Sequence, residues 1–291
     1  MDCGLSDFFT KGLIMYFGLD NPVKVLLVGH SHTVLGLDKE TMEKQLHCKV
    51  AKYAIEGANA QIRHTMIQHF LHQNSDSLKL IVYDVDAFFL TGKGLSINEY
   101  ELFYPLMDDP YIDEYIRTSN KDKLEYNIKK YIRTSRFTDL NINKSVRGCL
   151  GFYSNLKIGN IDTIAFKARI KRNDFLKITF DPDLKSEFEK TLTLVSSQNI
   201  KLVLLVIPTI GLLNRAEPAK YKKAIEMLKN YSRKYKNVYF INYNDKFEND
   251  YDLFYDPIHL NPKGNKIVTQ QLIDDFKNYN FLKEYIVKDK R

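Results

Sequence analysis

Two short runs place a hydroxyl, an imidazole and a carboxylate where nucleophilic catalysis needs them. Val28-Gly29-His30-Ser31-His32-Thr33 sets a serine directly after an apolar stretch, where the next residues can open a helix whose N–H groups face a developing negative charge. Near the other end stands Phe254-Tyr255-Asp256-Pro257-Ile258-His259-Leu260-Asn261-Pro262-Lys263-Gly264. A carboxylate three residues before a histidine, in a loop stiffened by Pro257, can accept the Nδ1 proton and leave Nε2 facing a serine as general base. Each run also has a plain structural reading. Ser31 and Thr33 are common helix N-caps, and Asp256 to Gly264 reads as a helix-entry turn. Both runs in one chain, after the first strand and before the last helix, favour Ser31 as nucleophile, His259 as base and Asp256 as its orienting carboxylate.

His30 and His32 form an HxH pair, a pattern that ligates metal in some hydrolases. An open catalytic metal site takes at least three protein ligands, and downstream of His72 only His259 remains. The chain is therefore read with no metal ligand and no required cofactor, a metal-dependent hydrolase on His30 and His32 being the lesser alternative. His64, His69 and His72 fall on one helical stretch and are read as polar residues of a surface helix. Cys3, Cys48 and Cys149 lack the spacing of a zinc ribbon or a redox CxxC motif.

The elements that must position these groups follow an alternating order. Lys24-Val25-Leu26-Leu27-Val28 is short and apolar, as expected of a parallel strand buried on both faces. A helix over 39–46, a strand over 49–55, a turn at Glu56-Gly57-Ala58-Asn59, a helix over 60–72 and a strand over 78–83 ending at Asp84-Val85-Asp86 come next. From 88 to 183 the alternation stops, with helices expected over 98–107, 110–117 and 121–131. This segment is read as a helical insertion between 1–87 and 184–291, the two parts of one α/β domain. A helix over 184–198, a strand over 201–207, a helix over 218–235, a strand over 238–242 and a helix over 264–279 complete the order. Such alternation predicts a parallel sheet covered on both faces, with ligands at the carboxyl ends of its strands, where Ser31 lies.

Gly29-His30-Ser31-His32 resembles the serine block of the SGNH (GDSL-like) hydrolases, and Asp256-Pro257-Ile258-His259 resembles their C-terminal Asp-x-x-His block. More narrowly, the run over 25–38, the Tyr53-to-Asn59 turn and His259-Leu260-Asn261 with Gly264 are similar to the SGNH branch containing polysaccharide O-acetyltransferases and the teichoic-acid D-alanyl-transfer protein. The resemblance covers about 24–87 and 201–279. It implies a three-layer α/β/α sandwich on a flavodoxin-like sheet, and an oxyanion hole made by the backbone N–H groups of Ser31 and Gly57. Asn59 is either a further side-chain donor or a turn former. The family's third block offers an Asn, whereas this chain has Tyr83-Asp84-Val85-Asp86. Its hole is then two-donor or completed by another residue; Asp84 and Asp86 are assigned to substrate hydroxyls, Asp84 being alternatively a polar strand end, and His32 is assigned to substrate binding.

The implied reaction is acyl transfer through an acyl-enzyme on acetyl or other acyl esters of a carbohydrate or polysaccharide. Water as acceptor makes an esterase, and a sugar hydroxyl makes an O-acyltransferase. The Tyr-rich insertion is expected to serve as lid or substrate platform. A catalytically weakened SGNH-fold carbohydrate-binding module is the alternative.

Bulk composition narrows the partners. The 291 residues carry a formal net charge of +7, with 43 Lys and Arg against 36 Asp and Glu. Lys129-Lys130, Lys171-Arg172 and Lys222-Lys223 sit among apolar or acidic neighbours at helical spacing, which marks solvated faces rather than a nucleic-acid stripe. No stretch reaches the ~18 apolar residues of a membrane span. Phe8 to Leu19 is interrupted by Lys11 and followed by no cleavage site. The chain reads as cytoplasmic, although the relatives it resembles act at the cell envelope behind an anchor.

Overall fold

Every residue of Val25–Gly29 (β1) is buried, which places this strand inside a sheet and not at its edge. The computed structural model describes residues 3–20, 22–74, 77–91, 99–153 and 156–278. Helix α1 (Cys3–Phe17) precedes β1. Helices α2 (Ser31–Gly36) and α3 (Lys39–Leu46), strand β2 (Val50–Ala54), helix α4 (Ala60–Asn74) and strand β3 (Leu80–Val85) follow. Beyond the insertion come α9 (Pro182–Ser197), β4 (Lys201–Val206), α10 (Gly211–Asn214), α11 (Pro218–Lys234), β5 (Val238–Asn242), α12 (Asn244–Phe247) and α13 (Pro262–Asn278). The five strands are all parallel, in the order β2-β1-β3-β4-β5. This is the flavodoxin-like order of an α/β/α sandwich.

Alternate strand residues face opposite layers, as pleating requires. Leu26, Val28, Ile81, Tyr83, Leu202 and Leu204 share one core with residues of α1, α4, α9 and α11. Val25, Leu27, Leu80, Val82, Val203 and Leu205 share the other with α3 and α13. Burying each Val or Leu is worth about 1.5–3 kcal/mol, so a sheet covered on both faces demands the continuous apolar runs seen in β1, β3 and β4. Winding reverses at β1, which has β2 on one side and β3 on the other. A crevice therefore opens at the carboxyl ends of β1 and β3.

The insertion holds a 3₁₀ helix (Glu99–Leu106), α5 (Pro110–Ser119), α6 (Lys123–Tyr131), α7 (Asp139–Cys149) and α8 (Thr163–Lys171). Its first expected helix is this 3₁₀ segment containing Pro105, which removes an amide donor and suits the tighter turn; position 98 lies outside the described residues. Sequence periodicity gave no sign of α7 or α8, because α8 buries only Phe166 and shows no sharp apolar stripe. Phe103, Ile112 and Ile116 extend the core shared with α4, while α7 crosses α1 closely. A Cβ on Gly148 would lie 2.0 Å from the Gly12 carbonyl oxygen. The last helix ends its described course at Asn278, so the expected end at 279 lies outside the described residues. Among the described residues no helix is long and apolar enough to cross a membrane.

Candidate active site

Ser31 is placed by a tight strand-to-helix turn. Ser31 opens α2 directly after β1 and His30. Gly29 is required there by space: a Cβ would lie 1.9 Å from Thr33 Oγ1 and 2.7 Å from Asp84 Cβ. Thr33 fills that space and donates its hydroxyl to Asp84 Oδ2 at 3.0 Å. On the other side, the Ile55 N–H donates to the Gly29 carbonyl at 3.2 Å, fastening the turn after β2 to the end of β1.

His259 arrives from the far end of the chain on a loop closed at both ends. Phe254 and Leu260 form an isolated antiparallel bridge, and the Tyr255 N–H donates to the His259 carbonyl at 2.9 Å. The Ile210 N–H holds the Pro257 carbonyl at 3.1 Å, and Asn261 Oδ1 accepts from the Gly264 N–H at 3.0 Å to start α13. Asn265 Nδ2 donates to the Leu35 carbonyl at 2.7 Å, tying α13 to the helix that Ser31 opens.

Within this loop Asp256 Oδ2 accepts from His259 Nδ1 at 2.7 Å. His259 Nε2 accepts from the Ser31 hydroxyl, also at 2.7 Å. Asp256 Oδ1 accepts the N–H groups of Ile258 and His259, each at 2.9 Å. Burial alone would raise the Asp256 carboxyl, but the His259 hydrogen bond and charge, with the two amides, hold it below the usual carboxylate range. With Nδ1–H committed to the carboxylate, the lone pair of Nε2 points at the serine. The side chains of His259 and Asp256 are 12% and 31% exposed, so the three residues expected from the sequence meet at an accessible surface.

On the oxyanion side Gly57 takes φ +77, a left-handed conformation natural to glycine, and the Ala58 N–H closes the turn onto the Ile55 carbonyl at 3.0 Å. Asn59 Oδ1 accepts the Ile62 N–H at 3.0 Å. Its side-chain oxygen thus caps α4, in line with a turn former.

The residues assigned to the substrate sit elsewhere. His32, Asp84 and Asp86 are only 2%, 1% and 2% exposed, a buried layer under Ser31 with no surface to offer a sugar. His30 joins them at 4%. Asp86 Oδ1 accepts the Phe88 N–H at 2.6 Å, while its Oδ2 lies 3.4 Å from His30 Nε2 and 3.2 Å from His32 Nδ1. Burial, reinforced by neighbouring His30, pushes the His32 imidazole well below its ordinary range. Burial likewise raises the Asp84 carboxyl, against the pull of His30 and Arg63.

Arg63 escaped sequence reasoning. It is 1% exposed, donating through Nη1 to the Asp84 carbonyl at 2.6 Å and through Nε to the Ala58 carbonyl at 2.9 Å. It therefore clamps the Gly57 turn to the end of β3. Its one visible signal was a cation among Ile62, Met66 and Ile67. The surface-helix reading of the histidines also needs correction. His69 is 6% exposed, 3.1 Å from the Tyr53 hydroxyl, because α4 is wedged between the sheet and α5 and α9. His64 Nδ1 meets Thr191 and His72 Nδ1 meets Asp109, so the three serve separate contacts.

Comparison with known proteins adds shape alone. No family model matches the chain, and no curated protein matches its sequence. Solved structures with a similar course carry provisional names. One is a lipolytic protein of the G-D-S-L family from Desulfitobacterium hafniense DCB-2, 8% identical, covering 87% of this chain and 99% of that one at a TM-score of 0.44. An acylhydrolase from Bacteroides fragilis NCTC 9343 is 11% identical, covering 94% and 98%, with a TM-score of 0.44. A platelet activating factor from Streptococcus pneumonia is 10% identical, covering 92% and 91%, with a TM-score of 0.43.

Proposed function

We propose that this chain is a serine-dependent esterase or O-acyltransferase working through an acyl-enzyme on acyl esters, acetyl esters of a carbohydrate foremost. One observation carries the reading: Ser31, His259 and Asp256 form a continuous hydrogen-bonded relay with both key contacts at 2.7 Å. The Ser31 oxygen attacks the ester carbonyl while His259 Nε2 takes its proton. The tetrahedral oxyanion is received by the backbone N–H groups of Ser31 and Gly57, one such donor being worth about 3 kcal/mol of transition-state stabilisation. Collapse expels the alkoxide, which takes the proton from His259. Water or an acceptor hydroxyl then repeats the sequence in reverse on the acyl-enzyme.

The intact relay argues against a weakened binding module, since a module without chemistry has no use for a base aligned on a serine. A carbohydrate acceptor is suggested by the surroundings of the triad loop. Tyr255 is 37% exposed with Lys157 over its ring at 5.6 Å, and aromatic faces of this kind pack on sugar rings. The insertion reaches this loop at Gly159 and Asn160, which Asn261 Nδ2 holds at 3.2 and 2.8 Å.

The test is Ser31→Ala assayed on 4-nitrophenyl acetate together with labelling of the wild type by a fluorophosphonate probe. Loss of turnover with unchanged folding, and a label on Ser31, are expected; full turnover by Ser31→Ala would overturn the reading. Acetyl release measured with and without an oligosaccharide acceptor separates esterase from transferase.

A further inference from the structure

The buried layer beneath Ser31 has a geometry that the triad does not use. His30 Nε2, His32 Nδ1 and an oxygen of Asp86 all lie within 4.8 Å of one another. The Asp86 Oδ2 oxygen is 3.4 Å from His30 Nε2 and 3.2 Å from His32 Nδ1. Among the described residues His32 Nδ1 and Asp84 Oδ1, 4.0 Å apart, have no hydrogen-bond partner, and His30 Nε2 is poorly aligned on the Asp86 oxygen it faces. Buried polar atoms are nearly always paired, and leaving one unpaired is costly. The two ring nitrogens face one Asp86 oxygen and Asp84 Oδ1 lies beside His32 Nδ1, which together form a cradle.

We propose that His30, His32 and Asp86, with Asp84 as fourth donor, bind one divalent transition-metal ion beneath the nucleophile. Donor atoms about 2.0 Å from a tetrahedral zinc ion stand about 3.3 Å apart, the spacing that Asp86 Oδ2 keeps from both rings. Two imidazoles with carboxylates are a donor set suited to zinc and its neighbours. Three ligands are met because Asp86 supplies what the scarcity of histidines withheld.

On His30 the proton is relocated and not released. In the metal-free chain His30 Nδ1 accepts the His32 N–H at 3.2 Å, so the neutral ring carries its proton on Nε2. Metal on Nε2 moves that proton to Nδ1, which gives up the His32 N–H and turns to the Ser31 oxygen at 3.3 Å as its acceptor. Metal-bound histidines commonly donate their second N–H in this way. The Ser31 oxygen then accepts from His30 while still donating to His259. The ion pins the turn after β1 to the end of β3 and fixes the nucleophile from below.

The experiment uses the untagged full chain, stripped by a chelator and titrated calorimetrically with zinc chloride, then with cobalt(II) chloride under visible spectroscopy. One zinc per chain, a rise in the thermal midpoint with zinc and the intense visible bands of tetrahedral cobalt are expected. Asp86→Ala and His32→Ala should each lose stoichiometric binding, while Ser31→Ala keeps it without turnover, so failure of this site and failure of the triad are distinguishable. Binding unchanged in both ligand variants would overturn the proposal. So would a wild-type cobalt spectrum that stays that of the hydrated ion, an outcome independent of whether any variant folds.

Discussion

Asp256 holds His259 twice, by the ring Nδ1 at 2.7 Å through one oxygen and by the backbone N–H at 2.9 Å through the other. The carboxylate thereby fixes both the position and the tautomer of the base. Asp256→Asn can still accept the amides but is free to present an NH₂ to Nδ1, which favours the tautomer with a proton on Nε2. Turnover of 4-nitrophenyl acetate should fall on the order of 10³–10⁴-fold, with circular dichroism unchanged. A loss under tenfold would mean that the carboxylate does not set the tautomer.

Gly29→Ala drives a methyl into the Thr33 hydroxyl and the Asp84 side chain. Overpacking of this kind costs about 1–3 kcal/mol. It also shifts the turn carrying Ser31, so activity should drop along with stability. Urea unfolding of the variant measures the first effect, and retention of wild-type stability would show that the turn yields.

Arg63→Met removes two hydrogen bonds to backbone carbonyls and the cation facing Asp84. A loss of about 3–5 kcal/mol is expected, the size associated with stripping a buried charge of its partner. Arg63→Lys restores the charge without the fork and should recover part of this only. Stability equal to wild type in the methionine variant would remove the clamp from the account.

His69 gives the fold an acid-sensitive point. Burial pushes its imidazole down from 6.5 to about 4, so between those values the unfolded chain takes up a proton that the folded chain refuses. Its neutral form therefore supports the fold fully above pH 6.5, and that support is lost as pH falls toward 4, to about 3 kcal/mol. Stability of wild type relative to His69→Gln should decline across this window. A constant difference from pH 7 to 4 would sink the assignment.

Much of the frame was legible because it is written in local pattern. The apolar runs of β1, β3 and β4 announce strands buried on two faces, and the helices α3, α4, α9, α11 and α13 lie within a few residues of their expected bounds. Asp256 and His259 were legible for the same reason: three residues apart in a Pro-stiffened loop, they meet without help from the rest of the fold. The insertion resisted, since α7 and α8 are held by contacts with α1 and the second core, and α8 shows little apolar periodicity of its own.

What residue types and spacing settled were the strands, the place of the Ser31 run after the first strand and of the Asp256–His259 run before the last helix, and a turn at Gly57. What the tertiary structure alone decided is which distant groups share a space. The parallel pairing of Val28 with Tyr83 brings the ends of β1 and β3 side by side, putting His30 and His32 against Asp84 and Asp86. The wedge between sheet and neighbouring helices buries His69, and the turn at Ala58 recruits Arg63. Burial and register depend on partners far along the chain, so the same histidines and carboxylates that read as exposed or substrate-facing in one dimension become a closed layer in three.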